Sequence, residues 1–305
     1  MILDCDPGID DALAIILALS SKELELKAVT TTFGNVGLIQ TTKNALNVLE
    51  LCRLNEPPVV GAGSSQPLKI KSLPAREVHG SNGLGNSKLP EPGIKPVADG
   101  VGLIISKINS GEVETIIATG PLTNLARAIE RDPGIKGNIR DIYIMGGAVF
   151  TAGNITPYAE FNFYSDPDAA DYVLNSTIEI TLISLDVTHK IKVTKKEIDF
   201  LREYKNNLAV FVVDIIEHSI GFHTKHRGVD GAYLHDPLAV AIAAAPRLGE
   251  YERLSLGVDK VDKRGMVKVK TGKKNVRFVN NVDAEGFLNL FFNRIGGKVG
   301  TIENL

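Results

Sequence analysis

Four carboxylates, Asp4, Asp6, Asp10 and Asp11, fall within eight residues of one stretch, Leu3-Asp4-Cys5-Asp6-Pro7-Gly8-Ile9-Asp10-Asp11-Ala12. A single acid in the first turn of a helix is explained by the free N–H groups and dipole there; four exceed what capping requires. So many negative charges repel one another when buried unless a cation offsets them, and oxygen-rich clusters suit a hard cation, Ca²⁺ or Mg²⁺. Other candidates have plainer readings when taken singly. Asp236, in His235-Asp236-Pro237, reads as an N-cap with Pro237 at the first helical position. His235 alone reads as a surface or core histidine, and Asn35, Asn154 and Asn162 as turn residues. Cys5, flanked by carboxylates that raise its pKa, reads as a structural thiol.

Hydrophobic periodicity supplies the elements that must position these residues. Met1-Ile2-Leu3 begins a strand that Pro7-Gly8 closes, and Ala12, Leu13, Ile16, Leu17 and Leu19 keep helical spacing, so a helix begins at Asp10 or Asp11. Further strands are expected at Leu26 to Thr32, Pro58 to Gly63, Glu114 to Thr119, Asp141 to Met145 and Ile178 to Leu185, alternating with helices. That alternation implies βαβ units around a parallel sheet, whose ligands bind beyond the carboxyl ends of the strands. The acidic turn sits at such an end. Between Gly63 and Val97 periodicity is lost, and the segment containing Val78-His79-Gly80-Ser81-Asn82-Gly83-Leu84-Gly85 reads as a lid beside that turn. Helices are expected from Val97 to Ile108, Lys195 to Tyr204, Leu208 to Phe222, Leu238 to Ala245 and Ala284 to Ile295. Strands fill the tail from Leu254. No linker-like tract divides the chain. The expected fold is therefore α/β, a single domain over 1–305 with a mostly parallel, Rossmann-like central sheet flanked by helices, plus an appended helical region.

With 34 basic and 36 acidic side chains the net charge is −2, so no global field draws the chain to nucleic acid or an anionic membrane. A small neutral ligand fits better. Two cysteines, Cys5 and Cys52, make no disulfide framework, and no signal peptide precedes a strand that starts at Met1. The apolar runs fall short of the roughly 20 residues a membrane span needs, so a cytoplasmic location is expected. Gly61-Ala62-Gly63 and Gly83-Leu84-Gly85 lack the alignment of a dinucleotide fingerprint.

The acidic stretch resembles the N-terminal signature of the inosine-uridine preferring nucleoside hydrolases, calcium-dependent N-ribohydrolases. Further blocks similar to that family follow in order: Thr30-Thr31-Thr32-Phe33-Gly34-Asn35, Val78-His79-Gly80, Thr119-Gly120-Pro121-Leu122-Thr123-Asn124, Met145-Gly146-Gly147, Glu160-Phe161-Asn162 and His235-Asp236-Pro237. The resemblance implies that Asp6, Asp11, Asp236 and the carbonyl of Thr119 hold Ca²⁺. It implies that Asp10, Asn35, Asn154, Glu160 and Asn162 bind the ribose, and that Asp4 stands behind them, bonding ligands or backbone. Asp6 would be the general base for a Ca-bound water, and His235 the donor to the leaving base, with His79 and His223 as weaker candidates. The implied assembly is a homodimer or homotetramer.

Base choice is less determined. The family's purine-restricted branch sandwiches the base between tryptophans, and this chain has none. His235 resembles the branch that accepts pyrimidine nucleosides, so uridine and cytidine are expected first and inosine second. The Tyr or Tyr/Gln pair of that branch is replaced by Gly221-Phe222-His223-Thr224-Lys225-His226-Arg227, which leaves His223, Arg227 or Phe222 to read the base. Two rivals remain: a haloacid-dehalogenase-like Mg²⁺ phosphohydrolase with Asp4 as nucleophile, and a non-catalytic ribose- or nucleoside-binding protein. The first gives no role to Glu160 or His235-Asp236.

Overall fold

The computed structural model describes residues 1–71 and 79–301. Its strands, in chain order, are β1 (Ile2–Cys5), β2 (Ala28–Thr31), β3 (Val59–Ala62), β4 (Thr115–Ala118), β5 (Asp141–Met145), β6 (Glu179–Ile183), β7 (Lys192–Val193), β8 (Ala232–Tyr233), β9 (Gly249–Leu254), β10 (Leu256–Val258), β11 (Val267–Val269) and β12 (Val276–Val282). Eight of them form one sheet in the order β3-β2-β1-β4-β5-β6-β12-β9. Every neighbouring pair is parallel except β12 with β9. The first six strands thus repeat the doubly wound order whose switch point lies between β1 and β4. Two small antiparallel pairs, β7 with β8 and β10 with β11, lie outside the sheet.

The period-two alternation of each strand divides its side chains between two apolar layers. In β4, Ile117 joins the layer containing helices Ile9–Leu19, Asn207–Arg227 and His235–Ala244, while Ile116 and Ala118 join the layer under helices Gly100–Asn109, Thr123–Arg131 and Pro167–Leu174. The parallel α/β class and the helical region are as expected, but several boundaries moved. The helix expected from Val97 starts at Gly100, after Asp99 accepts the Gly102 N–H as its cap. The segment from Lys195 splits into a short helix, Lys195–Ile198, and a 3-10 turn, Asp199–Glu203, while the next helix runs past Phe222 to Arg227 and stops at left-handed Gly228. A short helix, Phe161–Ser165, was not anticipated. Val78 lies outside the described residues, whereas His79 and Gly80 lie within them. Among the described residues no helix is long and apolar enough to cross a membrane.

Candidate active site

The chain leaves β1 with Asp6, and two neighbouring turns close around that carboxylate. Asp6 Oδ2 accepts the Asn35 N–H at 2.6 Å, from the turn after β2. A Cβ on Gly34 would overlap Asp6 Oδ2, and one on Gly120, in the turn after β4, would lie 2.8 Å from Asp6 Oδ1. Glycine is required at both positions because the backbone must come that close. Asp6 is 1 % exposed, and its Oδ1 is buried with no hydrogen-bond partner among the described residues.

Asp11 is used differently. Its Oδ1 accepts the Thr119 hydroxyl at 2.8 Å, while Oδ2 accepts the Gly8 N–H at 3.0 Å and the Asn35 side-chain amide at 3.1 Å. Asp10 Oδ2 takes the N–H groups of His235 at 2.7 Å and Asp236 at 3.0 Å. This corrects the sequence expectation for Asp236: the helix is His235–Ala244, its N-cap residue Leu234 makes no side-chain cap bond, and Asp236 is inside the first turn with Pro237 after it. The capping carboxylate comes instead from Asp10, 225 positions earlier than His235. Asp236 is thereby fixed beside Asp6 and Asp11 through its backbone, and its carboxyl group has no hydrogen-bond partner among the described residues.

Asp4 stands behind the cavity, but its partners are neither ligand residues nor backbone. Its Oδ1 accepts the Thr30 hydroxyl at 2.6 Å and the Asn124 amide at 2.8 Å, so it ties β1 to β2 and to the helix after β4. It is fully buried and does not line the cavity. A nucleophile in that position cannot reach a substrate, and the phosphohydrolase rival loses its central residue.

A single cavity of about 130 Å³ brings together Asp6, Asp10, Asn35, His79, Thr119, Asn154, Glu160, Asn162, His223, Arg227, His235 and Asp236. Asp11 stands just behind Thr119. Glu160 caps the helix Phe161–Ser165, its oxygens accepting the N–H groups of Asn162, Phe163 and Gly147. Asn162 donates its amide to the Thr119 carbonyl at 2.8 Å, and Asn154 Oδ1 accepts the Phe161 N–H. Phe222 lies outside the cavity lining and packs edge-on against His223, so it supports that ring rather than meeting a ligand. Sequence reasoning passed over Tyr233 and Thr188. Tyr233 lines the cavity among the rings of His189, His223 and His235, while Thr188 bonds His235. The available signal for Thr188 was its place at the end of β6, the ligand end of a parallel sheet.

The electrostatics divide the cavity in two. At one end burial, then the negative charge of Asp11, holds the Asp6 carboxyl well above the usual carboxylate range; Glu160 adds to it, and the Asn35 N–H opposes it. Asp236 is raised likewise, by burial and then by Asp11, Asp10, Asp6 and Glu160. Burial pushes Asp10 up to about 7. Two like charges about 4 Å apart repel by about 4 kcal/mol at an effective dielectric near 20, so this end favours a bound cation. Among the described residues no three His, Cys, Asp or Glu side chains already meet as a metal-ligand group. The orphaned Asp6 Oδ1, the free Asp236 carboxyl and the Thr119 carbonyl are nevertheless hard oxygen donors of the kind Ca²⁺ or Mg²⁺ takes. Burial drives His79, whose Nδ1 accepts the Ile9 N–H of the acidic turn, down to about 3; at the other end burial pushes His235 well below its usual range, with His189, His223 and Arg227 reinforcing it. The imidazoles are therefore neutral. Burial, and secondarily the carboxylates around it, raises the Cys5 thiol well above its usual range, in keeping with a structural role.

This geometry agrees with comparison to known proteins. The family model for inosine-uridine preferring nucleoside hydrolases matches residues 1–289. The pyrimidine-specific ribonucleoside hydrolase RihA of Salmonella gallinarum is 37% identical over 305 residues, covering 97% of both chains. Uridine nucleosidase 1 of Arabidopsis thaliana is 40% identical over 271 residues, covering 87% of this chain and 79% of its own. Among solved structures, a purine-preferring ribonucleoside hydrolase from Gardnerella vaginalis superimposes with a TM-score of 0.94 at 34% identity, covering 99% of each chain. The chain belongs to the inosine-uridine preferring nucleoside hydrolase family, enzymes that hydrolyse ribonucleosides to free base and ribose.

Proposed function

We propose that this chain hydrolyses pyrimidine ribonucleosides, uridine and cytidine ahead of inosine, with Ca²⁺ as its metal and Asp6 as general base. The observation that carries the reading is Asp6 Oδ1, a buried carboxylate oxygen on the cavity wall with no protein partner among the described residues. Asp6, Asp11, Asp236 and the Thr119 carbonyl would hold the cation, which supplies a fixed positive charge beside the ribose diol and the attacking water.

The protein's own groups do the rest. Asp6 takes the proton of the water that attacks C1′, the C1′–N bond breaks, and its electron pair leaves with the base. Positive charge develops on the sugar in that step, as in glycoside hydrolysis, and the carboxylates of Asp10, Asp236 and Glu160 stabilise it. Asp10 Oδ1, Asn35 Oδ1, Asn154 Nδ2 and Asn162 Oδ1 face no protein partner among the described residues and bind ribose hydroxyls. At the base end His223 Nδ1 lies 2.9 Å from the Ser219 carbonyl. A carbonyl only accepts, so the neutral ring carries its proton on Nδ1 and offers Nε2 as an acceptor. That matches the ring N–H of uridine, and also of inosine, the second choice. Arg227 closes this end, and His235 donates to the leaving base. The curated relatives named for pyrimidine substrates support the same order. The reading extends to a cytoplasmic homodimer or homotetramer, which sedimentation would test.

The deciding experiment is a reducing-sugar assay on a nucleoside panel, with and without a chelator. Ribose release that stops on chelation and returns with added Ca²⁺ is expected, with uridine giving the higher kcat/KM. Release indifferent to chelation removes the metal from the reading. Inosine tenfold better than uridine would reverse the base order, and ribose affinity without turnover would leave a binding protein.

A further inference from the structure

Thr188 ends the helical turn Leu185–Thr188 at the ligand end of β6 and is fully buried. Its hydroxyl lies 2.7 Å from His235 Nδ1 and has no other partner among the described residues. We infer that Thr188 donates this hydrogen bond and is a positioning residue that fixes the proton of His235 on Nε2, the nitrogen left for the cavity. The inference rests on the proposed reaction, in which His235 faces the leaving base.

The direction of the bond follows from what each alternative strands. If His235 donated from Nδ1, the hydroxyl hydrogen of Thr188 would be buried without an acceptor. If Thr188 donates, only lone pairs on its oxygen go unused, and an unpaired buried donor is the rarer and costlier case. The hydroxyl is held where it must be. The Ser184 side chain caps the turn, and the Asp186 carboxylate pins that turn to the N–H groups of Val149 and Phe150 at 2.9 and 2.8 Å. His79 shows the same arrangement with no ambiguity. Its Nδ1 accepts the backbone N–H of Ile9 at 3.1 Å, so its own proton is on Nε2.

The tautomer decides what His235 can do. With the proton on Nε2 it donates a hydrogen bond to an acceptor atom of the base while negative charge builds there. No proton need be transferred: the base departs as a hydrogen-bonded anion and is protonated by solvent, and the imidazole stays neutral throughout. With the proton on Nδ1, the Nε2 lone pair would face that anion and repel it. A wrong tautomer is a known way to lose orders of magnitude of rate with the geometry intact.

Thr188→Val removes the donor with little change of shape, and Thr188→Ser keeps it. On uridine, Thr188→Val is expected to lower kcat about a hundredfold with KM within about twofold, while turnover of p-nitrophenyl riboside, whose leaving group needs no help, is unchanged. Thr188→Ser should recover most of the loss. In parallel, ¹⁵N spectra of histidine-labelled wild-type protein should show His235 as the Nε2–H tautomer, and Thr188→Val should shift it toward Nδ1–H. A wild-type Nδ1–H signal overturns the inference, as does an equal loss on both substrates or failure of serine to rescue. The wild-type spectrum decides even if the valine variant does not fold. Wild-type protein that releases no ribose from any nucleoside would instead sink the proposed reaction, leaving the spectrum to report on the Thr188 bond alone.

Discussion

The acidic end of the cavity and its imidazole end are built from different parts of the fold, and the chain holds them with different firmness. Asp6 and Thr119 follow directly on β1 and β4, and Asn35 lies in the turn after β2, so three adjacent parallel strands fix where this end sits. Asp10 then locks the start of the helix carrying Asp236. The imidazole end comes from the close of the long helix Asn207–Arg227, from the segment leading into His235, and from the loop holding Asn154. Among the described residues no strand pairing joins those pieces to each other. The difference suits the proposed chemistry, in which the sugar common to all substrates meets the rigid end and the base that varies meets the other.

If that contrast is right, the largest loss comes from the acidic end and hits every substrate alike. Asp6→Asn keeps the shape and removes the proposed base, so kcat should fall about 10³- to 10⁴-fold on uridine, inosine and p-nitrophenyl riboside together. Near-normal turnover of any of the three would show that another group takes the proton. Gly34→Ala forces a methyl group onto Asp6 Oδ2, and should cost about 1–3 kcal/mol of stability by overpacking along with most of the activity. Gly137→Ala, where a Cβ meets nothing within 4 Å, serves as the control in thermal melts. Equal Tm values for the two would mean that the turn around Asp6 is softer than its contacts suggest.

The imidazole end should break selectively. His235→Ala is expected to lower kcat on uridine about a hundredfold and to leave p-nitrophenyl riboside close to wild type. A matching loss on both would move His235 from the leaving group to the ribose or to the fold. This selectivity separates the two ends more sharply than the size of either effect.

The same contrast explains what could be read in the sequence. The acidic end was legible because one stretch of eight residues carries Asp4, Asp6, Asp10 and Asp11, and because helical spacing after Asp10 fixes where the strand stops. The distribution of labour inside it was not. Asp4 looks like Asp6, but it sits inside β1 while Asp6 lies past the strand's end, and there it meets Thr30 and Asn124. Asp10 caps a helix that begins 225 positions later, a pairing no local pattern encodes. Asp236 read as its own N-cap because the usual rule considers only neighbouring residues, and here a distant carboxylate satisfied those N–H groups first. At the imidazole end Thr188 and Tyr233 carry no motif; only the folded chain brings them to His235.

The smallest effect expected tests the looseness of the imidazole end directly. The Arg227 guanidinium donates to the Asn154 carbonyl at 3.4 Å, a long bond across the mouth of the cavity between the helix end and the loop. Such an exposed bond contributes about 1 kcal/mol at most, a factor of about five. Arg227→Ala should therefore raise KM for uridine up to about fivefold, through a less well placed Asn154 and Ile155, with kcat within about twofold and Tm unchanged. Initial-rate kinetics on uridine and inosine measure both constants. A loss in kcat comparable to that of His235→Ala would put Arg227 on the reacting base, and the end described as adjustable would have to be counted as firmly built as the acidic one.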